Sequence, residues 1–411
     1  MNFLYNILVF IASLLLPLIA LFNKKIKLFV DGRKETFTKL SSINKTDKVI
    51  WFHAASLGEF EQAIPIIEEL KNKYDNYKIV VTFFSPSGYE IRKNYALADI
   101  VCYLPLDSKS KMKKLLEIVH PTVAIFIKYE FWPNLLSQLK RKEIPTILVS
   151  GILREKQSFF KWYGGFMREK LNTFNHFFVQ NEESKKLLKS INLNNVTIAG
   201  DTRFDRVSTI LNQDNRLDFI SEFKNSKYVI VAGSTWQEDE ELLVNYINNE
   251  ASEEEKFIIA PHNINQKNIE ILKNSILKKT VLFSAKGNTS LAEYQVFIID
   301  TIGILTKIYS YADTTYVGGG LKTGLHNILE PATFGVPIVI GNKYKKFKEA
   351  EDLVALKGCI SINNQEEFST IFTKFKADEN YRKSTGNINK KYIQENLGAT
   401  PLVVNYLKNI L

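Results

Sequence analysis

The chain has 411 residues, of which 45% are hydrophobic, and a formal net charge of +10 at neutral pH. This length is enough for two domains with complete cores, and the charge predicts an anionic partner such as lipid headgroups or a phosphorylated substrate. Nucleic acid, a third anionic partner, is not expected, because the sequence has no recognition motif for it and no long Lys/Arg block. Cys102 and Cys359 lie far apart in apolar segments, which indicates a reducing compartment and no disulfide framework.

The first predicted element is an apolar segment at residues 3–22 that carries no charge and is long enough to cross a bilayer. A cleaved signal peptide is disfavoured, because no Lys or Arg precedes the segment and no small-x-small site follows it. Lysines at 24, 25 and 27 come next, and they predict that the following domain stays in the cytoplasm. We therefore expect residues 1–25 to form a single membrane anchor. Pro17 leaves open whether the anchor spans the membrane or only dips into it.

From residue 48 onward, short apolar strands alternate with amphipathic helices. A chain that alternates in this way is typical of a parallel sheet covered by helices on both faces. The predicted strands of this first series lie at 48–56, 77–85, 99–105, 122–130, 145–151 and 176–180, with helices at 60–73 and 107–118 among them.

A second series begins near residue 227, after a polar stretch at 208–226 that we interpret as a linker. Its predicted strands lie at 227–234, 256–261, 280–284, 296–300, 314–320 and 336–341. The pattern predicts two open α/β sheets in tandem. Ligands of such sheets bind at the carboxyl ends of the strands, so we expect a site in a cleft between the two domains.

The most informative segment of the second series is 317–341, where Gly318–Gly320 follow an apolar strand and Gly324 comes soon after. A strand, a glycine-rich turn and a helix amino terminus can bind an anion through backbone N–H groups. Glu330 lies a few residues further on, where a carboxylate could hold sugar hydroxyls. A purely structural turn is the other interpretation of this segment.

Seven motifs in a fixed order resemble one family, the 3-deoxy-D-manno-oct-2-ulosonic acid (Kdo) transferases of lipopolysaccharide synthesis. They occur at residues 56–65, 82–90, 128–136, 199–205, 232–243, 300–313 and 318–341. The resemblance implies the GT-B glycosyltransferase fold, with two Rossmann-like domains facing a cleft. It implies transfer of Kdo from CMP-Kdo to the lipid A precursor at the cytoplasmic face of the bacterial inner membrane.

We accordingly expect an acceptor domain at 26–208, a CMP-Kdo domain at 209–388, and a helix at 389–411 that returns to the first domain, as GT-B chains often have. The sequence departs from the family pattern in three places. Residues 150–154 displace an arginine to Arg154, the family's Pro-Arg-His run is Pro-His-Asn at 261–263, and its Gly-Gly-Ser is Gly318–Gly320.

The catalytic residues that the resemblance implies are Glu59 and Glu130. Glu59 follows a strand-to-helix junction and would be the general base that takes the proton of the acceptor hydroxyl. A helix-start glutamate favoured by the dipole is the alternative. Glu130 would orient the acceptor hydroxyl or a cationic partner, and its alternative is a salt bridge with Lys128 or a loop cation.

The second domain would bind the donor and stabilise the departing CMP electrostatically. The predicted donor-binding residues are Ser234, Gly319, Gly320, Gly324, His326, Asn327 and Glu330. Arg203 and Arg154 are candidates for binding an acidic substrate group, because a guanidinium can grip a carboxylate or phosphate with two hydrogen bonds. For Arg203 an interdomain salt bridge is the alternative.

No metal or cofactor is expected, because the five histidines are scattered without ligand spacing and no Asp-x-Asp pair occurs. His53 lies in a buried strand and is expected to be an ordinary core residue. Residues 154–170 mix cations with aromatic rings, which suits a headgroup surface or an ordinary helix with its aromatics packed inward.

Two other function classes stay open. One is another GT-B enzyme, either a UDP-sugar lipid transferase or a nucleotide-sugar epimerase, and use of the donor would distinguish it. The other is an inactive protein that holds anionic lipid, which turnover would exclude.

Overall fold

The computed structural model describes residues 2–287 and 290–411. The elements up to residue 209 are α1 (Asn2–Ala20), α2 (Lys24–Lys34), α3 (Thr36–Leu40), β1 (Lys48–Ala54), α4 (Leu57–Lys73), β2 (Tyr77–Phe83), α5 (Pro86–Arg92), β3 (Ile100–Tyr103), α6 (Lys109–Val119), β4 (Val123–Ile127), α7 (Pro133–Arg141), β5 (Thr146–Gly151), α8 (Gly165–Leu171), β6 (His176–Val179), α9 (Glu182–Lys189), β7 (Val196–Ile198) and α10 (Thr202–Thr209).

The elements that follow are α11 (Asp218–Lys224), β8 (Tyr228–Thr235), α12 (Gln237–Asn249), β9 (Glu255–Pro261), α13 (Gln266–Ser275), β10 (Thr280–Leu282), β11 (Val296–Ile298), α14 (Leu305–Ile308), β12 (Thr314–Val317), α15 (Leu329–Thr333), β13 (Ile338–Gly341), α16 (Lys348–Ala355), β14 (Cys359–Ile362), α17 (Gln365–Ala377), α18 (Glu379–Glu395) and α19 (Ala399–Leu407).

The chain divides into two compact units. The first consists of the residues up to Arg206 together with Leu397–Leu411, and the second is Val207–Asn396. The first unit holds a parallel sheet of seven described strands in the order β3-β2-β1-β4-β5-β6-β7. Apolar clusters cover both faces of this sheet, as its continuous Val/Ile-rich strands require.

The second unit holds a second parallel sheet of seven described strands, in the order β10-β11-β9-β8-β12-β13-β14. It too is packed on both faces. In the first sheet the direction of strand order reverses once, between β1 and β4. In the second sheet it reverses between β8 and β12, and β11 in addition lies between β10 and β9. These switch points are where doubly wound sheets bind ligands. The predicted fold class, two Rossmann-like domains, is confirmed.

The expected linker at 208–226 is wrong in its second half. Residues Asp218–Lys224 form α11, in which Ile220 and Phe223 are fully buried in the core of the second unit. The sequence did not reveal this helix, because most of its residues are polar and only Ile220 and Phe223 are buried.

The carboxyl-terminal boundary also differs from the expected position at residue 389. Helix α18 continues to Glu395 within the second unit, where Asn389 donates to the carbonyls of Val336 and Gly358. The segment that belongs to the first unit begins at Leu397. Its backbone is held by the carboxylate of Asp205, which accepts from the N–H groups of Gly398 and Thr400.

Helix α1 is 19 residues long with a mean hydropathy of 2.4, and is long and apolar enough to cross a membrane by length and composition alone. Near its amino terminus, Tyr5 donates to Asp107 and Asn134 donates to the side-chain oxygen of Asn6, both at 2.8 Å. These hydrogen bonds fix this end of the helix to the body of the first unit.

The two cysteines lie one in each unit, Cys102 in β3 and Cys359 in β14. Both are free and about 99% buried. Burial raises the pKa of the Cys102 thiol to about 12 and raises that of Cys359 as well. Both thiols are therefore unreactive in the folded protein.

The buried position of α11 leads to a stability prediction. We expect Phe223→Ala to lower the free energy of unfolding of the second unit by about 3–5 kcal/mol, because a buried ring is replaced by a cavity. Chemical denaturation monitored by circular dichroism would measure the loss. Leu211→Ala, at a side chain that is 49% exposed, is the control and should cost less than about 0.5 kcal/mol. Equal small losses for both variants would show that 218–224 behaves as a linker.

Candidate active site

Glu59 lies in the first turn of α4, directly after β1, and only 7% of its surface is exposed. Its Oε2 accepts a hydrogen bond of 2.5 Å from the N–H of Ala55. Burial raises the pKa of Glu59, the charge of Glu130 adds to the shift, and Ala55, Lys128 and His53 oppose it. A helix-start position and the expected role of general base are therefore compatible, because a carboxyl group with a raised pKa is a better proton acceptor near neutral pH.

Glu130 follows β4 and is 9% exposed. Its Oε2 accepts from the indole N–H of Trp132 at 2.9 Å and lies 3.3 Å from Nε2 of His53. The predicted pair of carboxylates is thus brought to one place, beyond the carboxyl ends of the neighbouring strands β1 and β4. This is the switch point of the first sheet.

His53 is more than the core residue that we expected. Its ring is fully buried, and Nδ1 lies 3.0 Å from the carbonyl oxygen of Thr82. Nδ1 also lies 2.9 Å from the hydroxyl of Thr82, which can donate to it or accept from it, so these contacts are compatible with either neutral tautomer. The Nε2 contact is in ion-pair range but is not aligned as a hydrogen bond. The sequence could not reveal this contact, since it depends on which strands are neighbours.

Two further residues lie at the same edge of the sheet. Tyr129 is 40% exposed, and its pKa is raised by burial and then by the charge of Glu59, against an opposing effect of Arg154. Arg154 is exposed, and its backbone N–H donates to the side chain of Gln157. The structure thus brings Arg154 near Tyr129.

Arg203 makes its described contacts inside the first unit. Its Nε and Nη2 lie 2.9 and 2.8 Å from Oδ2 of Asp201, which is buried and also accepts from Gln62. Arg203 lowers the pKa of Asp201 against the opposing effect of burial. The alternative interpretation, a salt bridge, therefore has a partner within the first unit, and substrate binding by Arg203 stays a prediction.

The aromatic residues of 154–170 divide into two groups. Phe159 is buried in the core, whereas Trp162 is 91% exposed and Tyr163 is 54% exposed. The exposed Trp162 and Tyr163 are compatible with the predicted headgroup surface, which stays a prediction. The buried Phe159 fits the other interpretation, a helix with its aromatic rings packed inward.

In the second unit, the glycine turn is organised by Asp239, a residue that the sequence analysis missed. Its buried carboxylate accepts hydrogen bonds from the N–H of Trp236, the hydroxyl of Tyr316 and the N–H of Gly319, at 2.9, 2.7 and 2.8 Å. It therefore ties the end of β8 to the end of β12. An acidic residue three positions into a helix often binds back in this way, which is the signal that could have revealed it.

The turn differs from the simple anion site that we expected. Helix α15 begins only at Leu329 and has five residues. The N–H of Gly324 donates to the carbonyl of Gly319, and that of His326 donates to the carbonyl of Gly318. These amides hold the turn itself together, so they cannot bind a phosphate while the turn keeps this form.

The backbone conformation and close packing of the turn also require glycine at two of the predicted positions. Gly319 has a φ of +86°, in the left-handed region, and a Cβ at Gly320 would lie 2.8 Å from the backbone nitrogen of Gly341. The close approach of β12 and β13 therefore requires Gly320. Ser234, also predicted, has a φ of +54° at the end of β8.

Three aromatic rings are stacked beside this turn. Trp236 lies 4.6 Å from His262, and His262 lies 4.5 Å from His326, measured between ring centroids. The indole N–H of Trp236 donates to Nε2 of His326 at 2.9 Å, so the hydrogen of a neutral His326 is on Nδ1. Burial, and then His262, lower the pKa of His326 to about 4, so its ring is neutral at pH 7.

Asn327 and Glu330 are placed next to the turn and bind each other. Asn327 donates to Glu330 Oε1 at 3.0 Å, and Thr306 donates to Oε2 at 2.7 Å. Thr306 belongs to the 300–313 motif, which explains why that motif accompanies the glycine turn.

A cavity of 390 Å³ lies beside the stacked rings. Trp236, Thr235, Asn263, Lys322 and Thr323 are among the residues that line it. Glu238, which pairs with Lys322, and Glu240 also line it, so the charge of Lys322 is balanced, and the ring wall with its amide and hydroxyl groups suits a polar aromatic ligand. Within residues 2–287 and 290–411, no group of three His, Cys, Asp or Glu side chains is placed to hold a metal ion.

Solved structures with the same architecture are GT-B proteins. UDP-GlcNAc 2-epimerase of Neisseria meningitidis matches 88% of this chain and 100% of its own, with a TM-score of 0.59 and 16% identity. MurG of Acinetobacter baumannii matches 88% of this chain and 99% of its own, with a TM-score of 0.53 and 11% identity. At these identities the likeness establishes the fold alone, which is the GT-B class.

The family follows from the sequence comparisons. Residues 31–206 match the model of the 3-Deoxy-D-manno-octulosonic-acid transferase (kdotransferase) family. A 3-deoxy-D-manno-octulosonic acid transferase of Aquifex aeolicus is 27% identical, with 83% of this chain and 89% of that protein covered. The corresponding protein of Haemophilus influenzae is 24% identical, with 88% and 87% covered. This chain belongs to the Kdo transferase family of glycosyltransferases.

A longer relative is a bifunctional glycosyltransferase/methyltransferase of Fusobacterium nucleatum. It is 26% identical over 408 residues, an alignment that covers 93% of this chain and 60% of that protein.

The raised pKa of Glu59 leads to a prediction about stability and pH. A glutamate with a raised folded-state pKa binds its proton more tightly when folded, so its contribution falls as pH rises from its unfolded value toward its folded value. Glu59→Gln removes this loss and can keep the Ala55 hydrogen bond. We expect the variant to be at least as stable as the natural protein at pH 7, with a smaller advantage at pH 4.5. Thermal melts of both proteins at both pH values would measure the difference in stability. A variant that is less stable than the natural protein at pH 7 would contradict the conclusion that burial of the charged Glu59 is unfavourable.

Proposed function

We propose that this chain transfers Kdo from CMP-Kdo to the lipid A precursor, with inversion and without a metal, in lipopolysaccharide biosynthesis. Membership of the Kdo transferase family supports the reaction class. The observation that carries the mechanism is the buried Glu59 with its raised pKa, beside Glu130 at the switch point of the first sheet.

Glu59 is the proposed general base. As the acceptor hydroxyl attacks the anomeric carbon of Kdo, its proton passes to the Glu59 carboxylate. The bond between the anomeric carbon and the phosphate oxygen breaks, and CMP leaves with the electron pair. Attack from the face opposite the leaving group inverts the configuration.

Glu130 is proposed to position the acceptor. The contacts to Trp132 and His53 hold its carboxylate in one orientation, and the His53 contact gives it a partner for its charge. Because Glu130 is beside Glu59, it also keeps the pKa of the base raised. Arg154 and Arg203 are proposed to bind acidic groups of the substrates.

The second unit is proposed to bind CMP-Kdo at the turn 318–330. Neutral His326 carries its hydrogen on Nδ1, where it can donate to an anionic oxygen, and Lys322, which pairs with Glu238, lines the cavity beside it. The proposed roles of Ser234, Gly319, Gly320 and Gly324 are to give this turn its shape. Asn327 and Glu330 are proposed to bind the ribose.

Helix α1 is proposed to anchor the chain to the cytoplasmic face of the bacterial inner membrane. Its length and hydropathy suit insertion. While Tyr5 and Asn6 stay bonded to Asp107 and Asn134, the amino-terminal end cannot cross to the far side, which favours a helix lying in one leaflet.

The choice of donor tests the proposed reaction. We expect incubation of the full chain with CMP-Kdo and tetra-acylated lipid A precursor to increase the mass of the lipid by one or more Kdo units. UDP-sugars should give no product, because the proposal assigns the donor site to a cytidine monophosphate sugar. Mass spectrometry of the lipid measures both. Transfer from UDP-GlcNAc, or its epimerisation, would instead support one of the other GT-B enzymes, and absence of turnover would support a lipid-binding protein.

The role of Glu59 is tested by Glu59→Gln. We expect the variant to fold and to bind CMP normally but to lose transfer by about 10²–10⁴-fold, the usual contribution of a general base. Single-turnover rates with CMP-Kdo would measure the loss. Glu69→Gln is the matched control on the same helix, where Glu69 pairs with Lys73 on the surface, and it should retain activity. Substantial transfer by Glu59→Gln would remove Glu59 as the base.

A further inference from the structure

A second, apolar cavity lies in the first unit, beside the amino-terminal helix. It has a volume of 230 Å³ and lies between α1, α2, α3, the segment after β3, and α6. Leu16 and Pro17 of α1, Val30 of α2, and Leu106 contribute apolar wall. A cavity built partly from a helix suited to insertion is accessible to lipid chains.

Three cations also line this cavity, namely Arg33, Lys34 and Lys111. Lys34 pairs with Asp31 at 2.7 Å. Within the described ranges of the chain, no carboxylate forms an ion pair with Arg33 or Lys111. The cavity therefore combines an apolar wall with positive charge that its surroundings do not neutralise.

Arg33 is the most unusual of these cations. Its Nη atoms donate to the carbonyls of Phe29 and Phe84, and its guanidinium lies 3.4 Å from the centre of the Phe29 ring. Its Nε is buried and has no hydrogen-bond partner among the described residues. Burial lowers the pKa of Arg33 to about 9, which leaves it charged at neutral pH. A buried cation without an anion is costly, and a bound anion would offset that cost.

We propose that this cavity binds one anionic membrane phospholipid, with acyl chain along Leu16, Val30 and Leu106 and phosphate at Arg33 and Lys111. Charge complementarity favours an anionic lipid, because the cavity is already lined by cations and a zwitterionic lipid would add a further positive charge. The position beside α1 and the lysine-rich start of α2 places the cavity at the level of headgroups when α1 lies in the membrane. The proposed ligand is a bilayer lipid and not the substrate of the proposed reaction, so the inference rests on the proposed membrane anchoring by α1 and not on Kdo transfer.

Native mass spectrometry of the detergent-purified full chain tests this inference. The protein is incubated with an equimolar mixture of phosphatidylglycerol, phosphatidylethanolamine and phosphatidylcholine. We expect one phosphatidylglycerol per chain to be retained in preference to the others. Lys111→Gln, at an exposed position that should not affect folding, is expected to weaken retention about five-fold, and Arg33→Gln at least as much.

Matched controls separate a cavity from general attraction to a charged surface. Lys109→Gln on α6 and Lys27→Gln on α2 remove the same charge from residues that do not line the cavity, and both should retain the lipid. Val30→Trp should fill the cavity and abolish retention without changing the charge, whereas Leu28→Trp on the same helix should not.

Three results would overturn the inference. They are equal retention of zwitterionic lipids, equal losses in the cavity variants and their controls, and displacement of phosphatidylglycerol by one equivalent of lipid A precursor. The last result would assign the cavity to the acceptor. Because the measurement is lipid retention, it stands whether or not the chain transfers Kdo.

Discussion

The first unit depends on keeping two carboxylates, Glu59 and Glu130, buried side by side at the end of one sheet. Removing a carboxylate from water is costly unless hydrogen bonds or opposite charges replace the water. Here the backbone of Ala55 donates to Glu59 and the indole of Trp132 donates to Glu130, while the ring of His53 lies 3.3 Å from Glu130 without an aligned hydrogen bond. The compensation is incomplete at Glu59, since the balance of burial and neighbouring charge still raises its pKa. That residual cost is the physical basis on which we propose Glu59 as the general base.

The second unit also contains a buried carboxylate, but this one has more hydrogen-bond partners than Glu59. Asp239 is also buried, yet it accepts three hydrogen bonds and thereby fixes the geometry of the turn. A carboxylate so fully used has little capacity for a ligand, whereas Nδ1 of His326 points its hydrogen away from the Trp236 bond. Burial raises the pKa of Asp239 as well, so the two buried acids differ in the number of hydrogen bonds that each accepts and not in the direction of their pKa shifts.

Sequence patterns predicted the alternating strands and helices, because strands buried on both faces are continuous apolar runs. Two of the four edge strands, β7 and β14, were missed, since they are only three or four residues long and partly exposed. Helix α11 was hidden by its polar residues. Glu59 and Glu130 were identified through family motifs, and the structure placed them together. The contact of His53 with Glu130 could not be predicted, because it depends on strand order and joins residues 77 positions apart. The bond from Tyr316 to Asp239 spans the same separation, although the place of Asp239 in the first turn of α12 was a usable signal.

The placement of the two native thiols has a practical consequence. Because Cys102 and Cys359 are inaccessible, maleimide dyes will react with cysteines that are newly introduced on the surface and not with the natural ones. One dye on each Rossmann-like unit would therefore report the distance between them by energy transfer. Such a labelled protein would follow opening and closing in solution without any prior removal of native side chains.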